Sequence, residues 1–130
     1  NYCNNLRIFR YAETLLNYAE LIALHGQAEV QGITAQGCLD QIRNRAGVPS
    51  ITANIENIKL ERRREFLGEG MRFWDLIRWG DATTVLTENE PEHNSVRTFE
   101  EWMKYLPIPQ GEMEKTKGTE FELTQNGNWN

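Results

Sequence analysis

Glu61-Arg62-Arg63-Arg64-Glu65-Phe66-Leu67-Gly68-Glu69-Gly70-Met71-Arg72-Phe73-Trp74-Asp75-Leu76-Ile77-Arg78-Trp79-Gly80 alternates charge with aromatic and aliphatic side chains. On a helix, side chains three and four apart face one another. Glu61 with Arg64, Arg62 with Glu65, Glu69 with Arg72, and Arg72 with Asp75 have that spacing. Trp74 and Arg78 are spaced for a guanidinium to lie over an indole. Exposed helix ion pairs contribute on the order of a few tenths of a kcal/mol each. Here Phe66, Phe73, Trp74, Leu76, Ile77 and Trp79 are interleaved with the charges, so some charges lie against apolar side chains. Arg tolerates such surroundings better than Lys, through its planar fork and weak hydration. The favoured reading is a partly buried structural ion network of Glu61, Arg62, Glu65, Glu69, Arg72, Asp75 and Arg78. A solvated charged face and a ligand or catalytic site are the alternatives.

Gly68 and Gly70 interrupt the stretch, since each costs about 1 kcal/mol inside a helix. One helix is therefore expected from Ile55 to Leu67, capped by Asn54, and another from Met71 to Trp79, ended by Gly80. Upstream, Ile8, Ala12, Leu15, Leu16, Ala19, Ile22 and Ala23 recur at helical spacing and make one apolar face. Asn5 suits its cap and Gly26 its end. Tyr11 and Tyr18, two turns apart, share nearly one face. A second helix starts at Thr34, buries Leu39, Ile42 and Ala46, and stops at Gly47 and Pro49. The short connection predicts an antiparallel pair of the length of one tetratricopeptide-type hairpin. One hairpin cannot bury both faces, so neighbouring hairpins are implied.

Downstream, residues 81–94 lose periodicity and read as a loop. Thr98 and Glu101 have capping-box spacing ahead of a short helical turn at Trp102. Pro107 and Pro109 hold Tyr105-Leu106-Pro107-Ile108-Pro109 extended. The tail is rich in Gly, Thr, Asn and Gln and reads as irregular. The predicted fold class is all-α: a tetratricopeptide-like hairpin, further helices and long irregular C-terminal loops.

The 130 residues suit one domain, and 14 basic against 19 acidic residues give a net charge of -5. That argues against nucleic acid as a partner, although Arg62, Arg63 and Arg64 form a local basic patch. No stretch is long and apolar enough to span a membrane. Asn1-Tyr2-Cys3-Asn4-Asn5 lacks the pattern of a signal peptide, so the chain is cytoplasmic or begins beyond its targeting segment. Cys3 and Cys38 are expected as separate thiols, with Cys38 packed on a helix. His25 and His93 lack ligand-spaced companions, so neither a metal nor another cofactor is expected. A catalytic alternative uses Glu65 and Glu69 as acid and base for glycoside cleavage. Nearby arginines would hold both carboxylates charged, which spoils a general acid.

Four blocks in fixed order give the chain a resemblance to the C-terminal part of the SusD/RagB family. Arg10-Tyr11-Ala12-Glu13 through Leu16, Tyr18, Ala19 and Glu20 resembles the family's helix with paired Ala-Glu. Leu39-Asp40-Gln41-Ile42-Arg43-Asn44-Arg45-Ala46-Gly47 resembles its "LNxIRxRAG" block, with Asp40 where Asn is usual. Glu61-Arg62-Arg63 followed by Glu69 to Gly80 resembles its most diagnostic block. Leu106-Pro107-Ile108-Pro109-Gln110 with Glu112, then Leu123-Thr124-Gln125-Asn126, resembles its ending, although Gly127-Asn128-Trp129 departs from the usual "PGY".

The resemblance implies a non-enzymatic, lipid-anchored protein of the outer-membrane surface in Bacteroidota. Such a protein binds an oligosaccharide or peptide and lids a SusC-type TonB-dependent transporter. The lipid anchor is expected outside this segment, because Cys3 lacks the small and apolar residues of a lipoprotein cleavage site before it. Trp102 and Trp129 are the loop tryptophans on which a sugar ring could stack, with a packing role as the alternative. A protein-binding helical scaffold and a carbohydrate-active enzyme are the competing functions.

Overall fold

The computed structural model describes residues 9–90 and 95–129, with residues 88–90 and 95–97 described by backbone alone. Asn5, Ile8, Cys3 and His93 lie outside the described residues. The chain divides into two units, Asn1–Gly70 and Met71–Asn130. The charged stretch that opens the sequence reading therefore contributes to both.

In the first unit, α1 (Tyr11–His25) packs on α2 (Ala35–Arg45) and on α3 (Ile55–Glu65). The apolar stripe of α1 does what its spacing predicts: Ala12, Leu15, Leu16 and Ala19 are buried. Gly26 ends the helix in the left-handed region at φ 62°, and its N–H bonds the Ile22 carbonyl. Tyr18 locks the turn that follows. Its hydroxyl accepts from the Val30 N–H at 2.8 Å and donates to the Ile33 carbonyl at 2.9 Å.

Thr34 caps α2 as expected, its Oγ1 accepting from the Gly37 N–H at 2.9 Å. Leu39 and Ile42 are buried, but Ala46 is exposed; Arg43 lies inside instead. Asn54 caps α3 by accepting from the Asn57 N–H at 2.9 Å. That helix ends at Glu65, two residues before the expected Leu67. Gly68 and Gly70 then take φ 81° and 76°, a region that glycine enters without steric cost. Leu16, Ala19, Leu39 and Ile58 form the fully buried centre of this unit, and Cys38 is a buried free thiol beside them on α2.

The second unit opens with α4 (Met71–Trp79), ended by Gly80 at φ 75°. Residues 81–94, expected to be loop, begin with the one-turn α5 (Ala82–Val85) and enter a short ribbon. Strands β1 (Glu88–Glu90) and β2 (Ser95–Arg97) pair antiparallel, Asn89 opposite Val96. Such a polar ribbon has no alternating apolar pattern to announce it. Leu76, Ala82 and Phe99 form the core, with Phe73, Ile77, Leu86 and Met103 around it. A 3-10 turn covers Glu101–Lys104, preceded by Glu100 rather than by the expected Thr98. The tail holds one more helix, α6 (Gln110–Thr116), that its polar composition did not announce.

Candidate functional site

The charges of α3 keep the expected Glu61–Arg64 pair along the helix but make their closer contacts with other parts of the unit. Glu61 and Arg43 are both buried and meet at 2.6 Å; Arg64, three residues from Glu61, stands farther off at 3.8 Å. Arg43 Nε also donates to the Pro49 carbonyl at 2.6 Å. Arg62 is only 2 % exposed, as deep as the apolar centre of the unit. It donates to Asn17 Oδ1 at 2.6 Å, approaches Glu20 at 4.0 Å, and lies over the Phe66 ring at 5.3 Å. The expected Arg62–Glu65 pair is thus replaced. Glu65 instead takes Arg10 and Arg45, one on each carboxylate oxygen.

Glu69, expected to face Arg72, accepts from Arg10. Arg10 also donates to the Glu65 carbonyl at 3.2 Å and lies over the Phe66 ring at 5.4 Å, the ring that Arg62 also contacts. The hydrogen bond that Arg10 donates to Glu69 raises the Arg10 pKa above its ordinary value; the charges of Glu69 and Glu65 add to this and partial burial opposes it. Burial alone pushes the Cys38 thiol up, so it stays protonated and unreactive at neutral pH. Spacing identifies partners one helical turn away, whereas these partners are 18 to 59 residues apart in sequence.

In the second unit the expected Arg72–Asp75 pair gives way to Arg78. Its Nε and Nη2 donate to one oxygen of the buried Asp75 at 3.0 and 2.8 Å. That grip turns the guanidinium over the Trp79 ring at 4.7 Å rather than over Trp74. Trp74 is half exposed and meets Phe73 edge-on.

Trp102 and Trp129 come together, although 27 positions separate them (129 minus 102). Their rings meet edge to face at a centroid distance of 4.9 Å. The Trp102 indole N–H donates to Glu100 at 2.7 Å, and that of Trp129 donates to the Tyr105 carbonyl at 2.9 Å. Gly127 presses on Trp102 so closely that an added Cβ would lie 2.5 Å from its ring. Both indoles are half-buried, each with its N–H bonded within the unit and one ring face or edge committed to the other.

The Trp pair closes a clasp around the extended proline segment. Between Pro107 and Pro109, Ile108 alone has an N–H to satisfy. The Gln125 amide matches it in both directions: Oε1 accepts the Ile108 N–H at 2.7 Å, and Nε2 donates to the Ile108 carbonyl at 3.0 Å. Asn126 Nδ2 donates to the Leu106 carbonyl at 2.8 Å. The two motifs of the chain's ending are thus two sides of one set of hydrogen bonds. Nothing in their spacing pairs the two motifs; the side-chain amides of Gln125 and Asn126 link them through the carbonyls of Ile108 and Leu106.

A groove of about 410 Å³ opens on the first unit. Ala12, Leu15 and Ile42 line it with Arg10, Tyr11, Gln41 and Arg45. Its apolar residues come from the facing stripes of α1 and α2, and its two arginines are the ones that hold Glu65.

An apolar hairpin braced by buried ion pairs, followed by irregular chain fastened by side-chain amides, defines a segment of a tetratricopeptide-like helical protein. The model of the SusD family matches residues 1–129, and the chain belongs to that family. Among solved structures, surface glycan-binding protein A from Bacteroides fluxus is 64% identical, with a TM-score of 0.90, over 99% of this chain and 28% of that one. Surface glycan-binding protein A from Bacteroides thetaiotaomicron in complex with laminarihexaose is 45% identical, with a TM-score of 0.81, over 97% of this chain and 26% of that one. A SusD-like protein, P38, from Formosa agariphila is 34% identical over 96 residues, which are 63% of this chain and 18% of that protein. The chain thus covers between 18% and 28% of the length of these relatives.

Proposed function

We propose that the protein carrying these residues is the glycan-binding component of a SusC/SusD-type outer-membrane uptake system. It captures oligosaccharide at the cell surface for a TonB-dependent transporter, is held there by a lipid anchor outside residues 1–130, and does not cleave its ligand. Likeness to surface glycan-binding proteins along nearly the whole chain carries this reading. Glu65 and Glu69 support its non-catalytic part: both carboxylates are spent on arginines, so neither is placed to donate a proton. The ion network, in this reading, shapes the segment, and Trp102 and Trp129 serve the clasp before any sugar.

Laminarihexaose, the ligand in one relative, is the first oligosaccharide to titrate into the full-length protein by calorimetry. Saturable heat is expected with that glucan, and no turnover. Absence of binding to any polysaccharide would favour the protein-binding scaffold. Glycan turnover that disappears in Glu65→Gln or Glu69→Gln would establish the enzyme reading.

A further inference from the structure

We propose that Asn126 is a site of spontaneous deamidation, through which the C-terminal clasp loosens as the protein ages. Asn126-Gly127 is the one Asn-Gly pair of the sequence. Packing makes glycine obligatory at the second position. Gly127 sits at φ 57°, and any Cβ there would enter the Trp102 ring. Hydrogen bonding makes an amide useful at the first position, because Asn126 Nδ2 holds the Leu106 carbonyl. The clasp therefore sets the asparagine beside the residue that shields it least.

The backbone nitrogen of Gly127 is the nucleophile. Gly127 is exposed, and among the described residues its N–H has no hydrogen-bond partner. With no Cβ beside it, its path to the Asn126 side-chain carbon is open. Loss of the N–H proton to hydroxide lets this nitrogen bond to Asn126 Cγ. The Cγ–Nδ2 bond breaks, and the nitrogen leaves as ammonia. The resulting five-membered imide adds water and opens at either carbonyl. One opening gives aspartate; the other gives isoaspartate, with the main chain routed through the former side chain.

Both products remove the side-chain donor that faces the Leu106 carbonyl, and aspartate puts a carboxylate oxygen there, acceptor against acceptor. Isoaspartate also lengthens the main chain ahead of Gly127 and shifts it from Trp102. Release should spread to Gln125 and Trp129, which flank the site and hold the same segment.

The test is timed incubation of the folded full-length protein at mildly alkaline pH, followed by peptide mapping. Aspartate and isoaspartate should accumulate at Asn126 several-fold faster than at Asn128 or Asn44. The rate should rise about ten-fold per pH unit, because the reacting amide anion is a trace species far below its pKa. Survival of Asn126 in the folded protein, while the same peptide converts in urea, would overturn the proposal. Asn126→Asp serves as the second measurement. It should reproduce the lowered melting temperature and the faster C-terminal proteolysis of the aged protein; an unchanged variant would overturn the loosening of the clasp.

Discussion

The two units solve one problem in opposite ways. In the first, helices satisfy their own backbone, and charged side chains are free to cross-link them: Arg43 to Glu61, Arg62 to Asn17 and Glu20, Arg10 and Arg45 to Glu65. In the second, prolines keep residues 105–109 extended, and the bare backbone is answered by Gln125, Asn126 and Trp129. The contrast is one of degree, since the first unit also uses the second's device. Gln36 accepts from the Ala53 N–H and donates to the Ile51 carbonyl, pinning the extended chain after Pro49. Charge thus ties helix to helix, while a side-chain amide ties a side chain to a strand-like segment that has no sheet.

The comparison breaks most visibly if the buried pair of the first unit is dispensable. Glu61→Ala strands Arg43, which is buried and, among the described residues, has no second carboxylate at hydrogen-bond distance. An uncompensated buried charge costs about 3–5 kcal/mol, and urea melts of the full-length protein should show a loss of that size. Replacing both partners, Arg43→Met with Glu61→Leu, should recover most of it, because desolvating the pair offsets much of its attraction. If the double variant is as unstable as the single one, the network does more than neutralise itself.

Asp75→Ala asks whether the second half of the charged stretch is equally structural. Asp75 is buried, but its partner Arg78 is half exposed and can turn to water. A loss of about 1–3 kcal/mol is expected, smaller than at Glu61. The melting temperature should fall, and the laminarihexaose binding proposed for the full-length protein should be unchanged by the substitution. A variant that keeps its melting temperature and loses affinity would move the ligand site to α4.

Much of the first unit was legible because its determinants are local. The Thr34 and Asn54 caps, the Gly26 stop and the Leu39–Ile42 stripe need only a few residues of context. What escaped is non-local. Glu20 and Arg43 are polar letters in exposed-looking places, and only the packed hairpin shows that they are buried. Arg10 lies before α1 by sequence yet closes the C-terminal end of α3 through Glu65. In the second unit, the ribbon and α6 lack an apolar period and are defined by neighbours instead of by pattern. In the sequence Trp102 and Trp129 stand out as aromatics of irregular chain; Trp102 lies in the 3-10 turn, and spacing gives no hint that the two rings meet. Family resemblance marked Gln125 and Asn126 without saying why; their bonds to Ile108 and Leu106 supply the reason.

Gln125→Glu tests the amide rule with one atom changed. A carboxylate still accepts the Ile108 N–H but no longer donates to the Ile108 carbonyl. The site is half-buried, so the lost donor should cost on the order of 1 kcal/mol. Gln125→Leu, which satisfies neither group, should cost more. Equal losses in the two variants would show that packing of the side chain, and not its two hydrogen bonds, holds the clasp.

The smallest effect belongs to the exposed edge of the second unit. Lys104 donates to Glu101 Oε2 at 3.0 Å, and Thr83 donates to Oε1 at 3.1 Å, tying the 3-10 turn to α5. The Lys104 hydrogen bond, then that of Thr83, then the lysine charge hold the Glu101 carboxyl below its ordinary pKa. A carboxyl whose pKa is depressed on folding adds stability above its unfolded value, and that stability fades as pH falls through the folded one. The contact should therefore weaken only in acid, and raised salt should blunt it because the pair lies in water. Lys104→Met should return the Glu101 carboxyl toward its ordinary value in an NMR titration, while leaving the melting temperature at neutral pH nearly unchanged. A marked drop at neutral pH would mean that this surface pair is braced like those of the first unit, and the division between charge-tied helices and amide-tied loops would fail at its edge.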